Sequence, residues 1–327
     1  MKALVFEAPD RPVVADLEPP EIGPDEVLIR SRAVGICHSD FELLGGRYII
    51  PVSYPIIPGH EWAGEVVEVG AAVEGLAPGD AVVGECVVGP AGRDHFGFSI
   101  SGADAELFKA RGEWLHKLPD GMPYSTGALV EPFSVAYNAV LSAGGMDASD
   151  TVAVIGGGPI GLLCVLAASA TNARVVLVEP QAHRRRKGLE LGAQGALAPA
   201  AEDFEDAVTE LTRGRRFDVV IEAAGVPRAM ASALELAGQS ARLVFVGIDV
   251  GGTAQAKLGL IQSKDLRIRG VIGSPNIWPK TIRLLASGVV DPTAIVTATF
   301  PLESALDALE AARDTASNIK VHIRTGD

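Results

Sequence analysis

The feature that most constrains the fold is the strand-like run Thr151 to Ile155 (TVAVI), which passes directly into Gly156-Gly157-Gly158-Pro159-Ile160-Gly161. β-Branched and small apolar residues favour extended backbone up to Ile155. Pro159 then suits the first turn of a helix, where a missing N–H costs nothing. The glycines have the G-x-G-x-x-G spacing, a weak signal alone that gains weight from the strand before it and the helix after it. Further strand-like runs follow at RVVLVE, FDVVIEAAG, RLVFVGI and RIRGVIG, with helical stretches over Pro159 to Ser169, Gln181 to Leu191 and Arg228 to Ala237. Strands alternating with helices build βαβ units and hence an α/β fold around a parallel sheet.

Each residue of the glycine run has a task if a dinucleotide binds. Gly156 permits the tight turn, Gly158 lets a pyrophosphate approach the backbone, and Gly161 allows the helix to pack closely on the strand. Pro159 and Ile160 open the helix whose free N–H groups face the anion. Glu179, closing the next strand, accepts hydrogen bonds from ribose hydroxyls and so favours NAD. Arg184, Arg185 and Arg186 read either as a solvated helix face or as a site for a 2′-phosphate, with Arg184 the candidate cofactor contact. A glycine-rich turn without a ligand is the bland alternative.

Thr151 to Ala173 carries no charge and is long enough to cross a bilayer, but its glycine–proline interior suits a strand–helix turn, so no membrane span is expected. A composition of 48% hydrophobic and 21% charged residues in 327 residues supports a globular chain of two domains. The net charge of −13 opposes nucleic acid and anionic lipid as partners. Three cysteines cannot make a disulfide framework, and Glu7 and Asp10 interrupt the N-terminus before an apolar run can form; both suggest a cytoplasmic protein without a signal peptide.

The first 120 residues differ in texture, with Gly23-Pro24, Pro58-Gly59, Pro78-Gly79 and Pro119-Asp120-Gly121 separating short Val-rich strands. After Gly273, Pro279 to Ser287 and Glu303 to Arg313 read as helices and Lys320 to Arg324 as a strand. Gly35-Ile36-Cys37-His38-Ser39-Asp40 offers a thiol, an imidazole, a hydroxyl and a carboxylate in succession. Pro58-Gly59-His60-Glu61 adds an imidazole and a carboxylate, and the segment from Val130 to Ala136 adds Glu131. Thiolate, imidazole and carboxylate are zinc ligands, and a catalytic site takes three of them and keeps one position open. Taken singly, Cys37 could be a small buried hydrophobe and Glu131 a surface charge or a helix N-terminal carboxylate.

Taken together, these segments resemble the zinc-dependent medium-chain dehydrogenases, the alcohol and polyol dehydrogenase superfamily. GICHSD, PGHEWAGEVVEVG, VEPFSVAYNAV, VAVIGGGPIG, the LGA at Leu191 to Ala193, DVVIEAAG, RLVFVG and NIKVHI follow that family's order and spacing over nearly the whole chain. The resemblance implies a doubly wound Rossmann domain, residues 137–272, inserted into a mostly β GroES-like catalytic domain of residues 1–136 and 273–327. It makes Cys37 and His60 zinc ligands, with Glu61 near the metal and sometimes in its coordination. Ser39 becomes the entry to a proton relay, Asp40 the carboxylate that orients His60, and His38 a contact of the coenzyme pyrophosphate or a member of the relay. Glu131 followed by proline stands where alcohol dehydrogenases usually carry a second cysteine, and this favours the sorbitol-like polyol branch.

One departure is large: between Val83 and Phe108 the family usually has four closely spaced cysteines around a structural zinc, whereas this chain has only Cys86. One catalytic zinc per chain and no structural zinc are therefore expected, with assembly into a homodimer or homotetramer held through the Rossmann sheet edges. The implied reaction is hydride transfer between a secondary alcohol (a polyol, sugar derivative or cyclitol) and NAD, with Phe41, Arg47, Tyr48 and Trp278 as candidate pocket walls. If Cys37 and Glu131 both bind directly, the zinc site is neutral; with either carboxylate held off, one positive charge remains and the Lewis acid is stronger. A metal-free NADP-dependent C=C reductase of the same superfamily, or a non-catalytic nucleotide-binding protein, are the alternatives.

Overall fold

The computed structural model of the chain describes residues 1–47 and 52–326; Tyr48 lies outside the described residues. The chain forms two compact units, one of Met1–Glu131, Trp278–Ala286 and Val296–Asp327, the other of Pro132–Ile277 and Ser287–Ile295.

The second unit is built on a six-stranded parallel sheet, ordered Gly195–Leu197, Arg174–Val178, Thr151–Ile155, Phe217–Glu222, Ala237–Phe245, Arg267–Gly270. The chain starts in the middle, winds to one edge, then returns to wind to the other. This doubly wound order opens a crevice at the carboxyl ends of Thr151–Ile155 and Phe217–Glu222, where the direction reverses. Helices Pro159–Ser169, Ala182–Glu190, Phe204–Thr212 and Pro227–Leu236 connect the strands. Central strands of such a sheet are covered on both sides, which accounts for the unbroken apolar runs: Val152, Ala153, Val154, Val219, Val220 and Ile221 are all fully buried. The charge-free stretch resolves into a strand, a turn and an eleven-residue helix, and no helix among the described residues is long and apolar enough to cross a membrane.

The first unit is mostly β. Its seven-stranded sheet runs Val296–Pro301, Lys320–Arg324, Glu26–Gly35, Glu61–Val69, Ala81–Gly84, Leu115–Lys117, with Leu107–Arg111 also paired to Glu26–Gly35. All pairs are antiparallel except Val296–Pro301 with Lys320–Arg324. Trp62 anchors one core, with ring centroids 4.7 Å from Phe108 and 5.7 Å from Phe96. The register brings Glu61 and His322 opposite Gly35 from its two sides. The end of the central strand, which leads into Cys37, thus meets the start of the strand that follows His60.

Candidate metal and coenzyme sites

Cys37 leaves the central strand in an extended conformation (φ −105°, ψ 159°) and caps the helix His38–Leu44. Its backbone N–H donates to Asp40 Oδ2 at 2.8 Å, so Asp40 closes the first turn. The other oxygen of Asp40 lies 3.4 Å from His60 Nδ1, and this contact leaves Nε2 of the imidazole for a metal. The Phe98 ring packs on His60 with centroids 4.6 Å apart. Gly59, at φ +97°, turns the chain so that His60 enters this space; a side chain there would press on the Asp104 backbone nitrogen at 2.8 Å. Among the described residues one group of three ligand-type side chains converges: an atom each of Cys37, His60 and Glu61, all within 4.8 Å of one another. Thiol, imidazole and carboxylate at this spacing suit zinc. His60 is 4% exposed and Glu61 1%, while Cys37 is half-buried.

The surroundings are strongly charged. Burial opposes the imidazolium form of His60, but the Asp40 carboxylate and the Cys37 sulfur outweigh it and hold the pKa well above the ordinary histidine value. Glu131, in the first turn of the helix Val130–Ser142, stands outside the converging three. Burial foremost, with Glu61 and Asp40 adding and His60 and Lys320 opposing, raises its pKa to about 7. Asp104 is also buried, and desolvation followed by the nearby Asp40 pushes its carboxyl well above the usual range.

Two groups entered the sequence reading only as members of a strand, not as site residues. Lys320 donates to both carboxylate oxygens of Glu61, at 2.9 and 2.6 Å, and to the Ile36 carbonyl at 3.0 Å. His322, buried beside it, has its pKa lowered to about 4 by desolvation and then by the lysine charge. The available signal was a lysine and a histidine alternating with Val321 and Ile323 in a strand buried almost throughout; a buried lysine requires a counter-charge.

The other candidates have contacts of their own. His38 projects into solvent, with its side chain 87% exposed and Glu42 Oε1 3.9 Å from Nε2. Ser39 is half-buried in the first turn of the same helix. Arg47 pairs with Glu42 at 3.7 Å, the Arg313 guanidinium lies over Phe41, and buried Trp278 stacks on His116. In the shortened stretch, the Cys86 thiol donates to the Phe96 carbonyl at 3.8 Å, and burial drives its pKa to about 12.

In the second unit the glycine run sits at the sheet crevice. Gly156 has φ +98°, and a Cβ there would lie 2.8 Å from the Ala224 backbone nitrogen. A Cβ on Gly161 would collide with the Gly156 carbonyl oxygen, whereas one on Gly158 would meet nothing within 4 Å. Open space at Gly158 is what a pyrophosphate needs. Pro159 and Ile160 begin the helix with no side-chain cap, so its first N–H groups face the crevice. Glu179 Oε2 accepts from Gly157 N–H at 2.6 Å and Oε1 from Gln181 N–H at 2.8 Å. Each oxygen keeps a lone pair for a further donor. The side chain of Arg184 begins next to the same turn, 3.2 Å from where a Cβ of Gly157 would stand, while Arg185 donates to the carbonyls of Glu179 and Pro180.

Comparison with known proteins agrees with this geometry. Residues 23–120 match the alcohol dehydrogenase GroES-like domain, and residues 159–287 match the zinc-binding dehydrogenase family. The sorbitol dehydrogenase of Bacillus subtilis (strain 168) is 32% identical over 95% of this chain and 93% of its own. The D-arabitol-phosphate dehydrogenase of Enterococcus avium is 30% identical over 99% and 97%. A crystal structure of 2R,3R-butanediol dehydrogenase from Bacillus subtilis superposes with a TM-score of 0.91 at 32% identity, covering 99% of both chains. With a Rossmann-type sheet, a GroES-like unit and relatives matched almost end to end, the chain belongs to the medium-chain alcohol and polyol dehydrogenase superfamily and is a dehydrogenase.

Proposed function

We propose that the protein is a zinc-dependent dehydrogenase that passes a hydride between a secondary alcohol of the polyol, sugar-derivative or cyclitol class and NAD. The observation that carries the metal half of this reading is the convergence of Cys37, His60 and Glu61 within 4.8 Å, with Asp40 behind the imidazole. Cys37 and His60 hold the metal and Glu131 supplies the third protein ligand, directly or through water. When bound, zinc supplies Lewis-acid polarisation of the alcohol oxygen. Asp40 fixes the tautomer and orientation of His60, and Ser39 receives the alcohol proton and passes it toward solvent, with His38 further along that path.

Residues 137–272 serve as the coenzyme domain and residues 1–136 and 273–327 as the catalytic domain. The coenzyme pyrophosphate rests on the turn from Gly156 to Gly161, and the adenosine ribose on Glu179. The carboxylate of Glu179 favours NAD because a 2′-phosphate would meet like charge there. One catalytic zinc serves each chain, and the protein works as a cytoplasmic homodimer or homotetramer; its three cysteines are all unpaired thiols, which supports a reducing compartment. The relatives' polyol and diol substrates support the substrate class. The deciding experiment offers a panel of polyols, sugar alcohol phosphates and cyclitols with NAD⁺ to the zinc-loaded protein and follows NADH absorbance. Failure of every secondary alcohol, with turnover of an activated C=C substrate by NADPH, would refute the reading.

A further inference from the structure

We propose that Lys320 is a positioning residue: it holds Glu61 out of the coordination of a metal seated on Cys37 and His60 and so keeps a ligand position open for substrate. The inference rests on the zinc reading above. Glu61 is near enough to become a ligand, since one of its oxygens lies within 4.8 Å of both the Cys37 sulfur and a His60 nitrogen. Both of its oxygens are nevertheless bound by the lysine, at 2.9 and 2.6 Å, and the Ile36 carbonyl accepts the third ammonium hydrogen at 3.0 Å. No hydrogen of the ammonium group remains unused. The pair is sealed from water, with the lysine side chain 2% exposed and that of the glutamate 1%.

The backbone is shaped for the same arrangement. The carboxylate of Glu61 lies across Gly35, so closely that a Cβ at Gly35 would collide with Oε2. Gly35 lies in extended strand, where alanine is equally at home, so it is the space above it that the carboxylate uses. A buried carboxylate stripped of its cation is costly, and the nearest replacement cation would be the metal. Glu61 would then fill the open position and cancel positive charge beside the Cys37 thiolate. Lysine and metal therefore compete for one carboxylate, and the hydrogen bonds from Lys320 to both of its oxygens favour the lysine.

The test uses the full chain loaded with Co²⁺ for spectroscopy and with Zn²⁺ for release to a chelator. In Lys320→Met, the visible d–d bands should weaken toward a five-coordinate spectrum, and zinc release should slow by about tenfold, the scale on which such partners act on metal affinity. Gly35→Ala, which keeps every charge but pushes Glu61 off its seat, should change the spectrum in the same direction. The double variant Lys320→Met/Glu61→Gln carries no buried charge at the pair and should regain the parent spectrum and release rate. It also carries the test if the single lysine variant does not fold, because a Glu61 that is a resident ligand would make the double variant lose zinc affinity by roughly 10-fold or more. That loss, or a parent-like spectrum in Lys320→Met or Gly35→Ala, overturns the role of Lys320 alone. A parent chain that takes up neither metal overturns the zinc reading and this inference with it.

Discussion

Two glycines three residues apart in the same motif should respond oppositely to the same added methyl group, because the structure gives them different neighbours. At Gly161 a Cβ collides with the Gly156 carbonyl oxygen, a backbone atom that cannot rotate aside. Forced packing of this kind costs about 1–3 kcal/mol, and alanine in a helix returns about 1 kcal/mol relative to glycine. A clash with rigid backbone lies at the upper end of that range, so the net loss is about 2 kcal/mol and lowers Tm by about 4–8 °C. At Gly158 the backbone is already in a region open to any residue (φ −68°, ψ 177°), and a Cβ meets nothing within 4 Å. The lost N-cap preference there, less than about 1 kcal/mol, is offset by about 0.4–1 kcal/mol from a less flexible unfolded chain. Gly158→Ala should therefore keep the parent Tm within about 2 °C while weakening NAD⁺ binding at least about tenfold, or 1.4 kcal/mol, because the methyl occupies the pyrophosphate's approach. Scanning calorimetry and a fluorescence titration with the coenzyme read the two effects separately. Parent-like NAD⁺ affinity in Gly158→Ala would show that the glycine run is a turn without a ligand, and an undisturbed Tm in Gly161→Ala would show that the helix does not need its close approach.

Cys37→Ala and His60→Ala should each lose zinc and turnover while coenzyme binding persists; two zincs per parent chain by elemental analysis would contradict the single site. Glu131→Ala should lower zinc affinity or rate by about 10–100-fold, whereas Glu131→Cys should keep the metal. Zinc uptake should also weaken as pH falls through about 7, where the buried Glu131 carboxyl takes up a proton; the raised pKa of His60 acts in the same direction, since both groups must be deprotonated to bind. A pH-independent affinity would remove them from the ligand set. NAD should exceed NADP in kcat/KM by more than about tenfold, with Glu179→Ser narrowing the gap; equal use of both by the parent would mean that the arginines beside Glu179 govern the site. Light scattering at micromolar concentration should give a dimer or tetramer, and a clean monomer would contradict assembly through the sheet edges.

The sequence was most informative where the causes of structure are local. The strand from Thr151, the glycine run and the helix Pro159–Ser169 follow from β-branching, turn chemistry and a first-turn proline, and the helix has the expected bounds. The helices expected at Arg228 and Pro279 begin one residue earlier, at Pro227 and Trp278, because a proline is accommodated within the first turn. The three-residue strand Gly195–Leu197 and the helix Phe204–Thr212 escaped notice; the first is too short to show a period, and the second has acidic residues through its opening turn. The candidate metal ligands could be proposed together only because their segments resemble a family. Nothing local joins Cys37 to His60, and the partnership of Lys320 with Glu61, separated by 259 residues, exists only through the pairing of distant strands.

The position of Lys320–Arg324 in the sheet also fixes an order of assembly. This strand lies between Val296–Pro301 and Glu26–Gly35, and its lysine reaches a carbonyl 284 residues earlier in the chain. On the ribosome, the parallel sheet from Thr151 to Gly270 can close from neighbouring segments as they emerge, because its strands follow one another in sequence. The unit begun first must wait, holding the ends of Cys37 and His60 beside a strand edge with no partner. Until residue 320 is released, Glu61 has no lysine, and any metal captured by the nascent chain would meet its carboxylate unrestrained. Synthesis thus supplies every strand of the parallel sheet before the last strand beside the candidate metal site, although Cys37 and His60 are translated first.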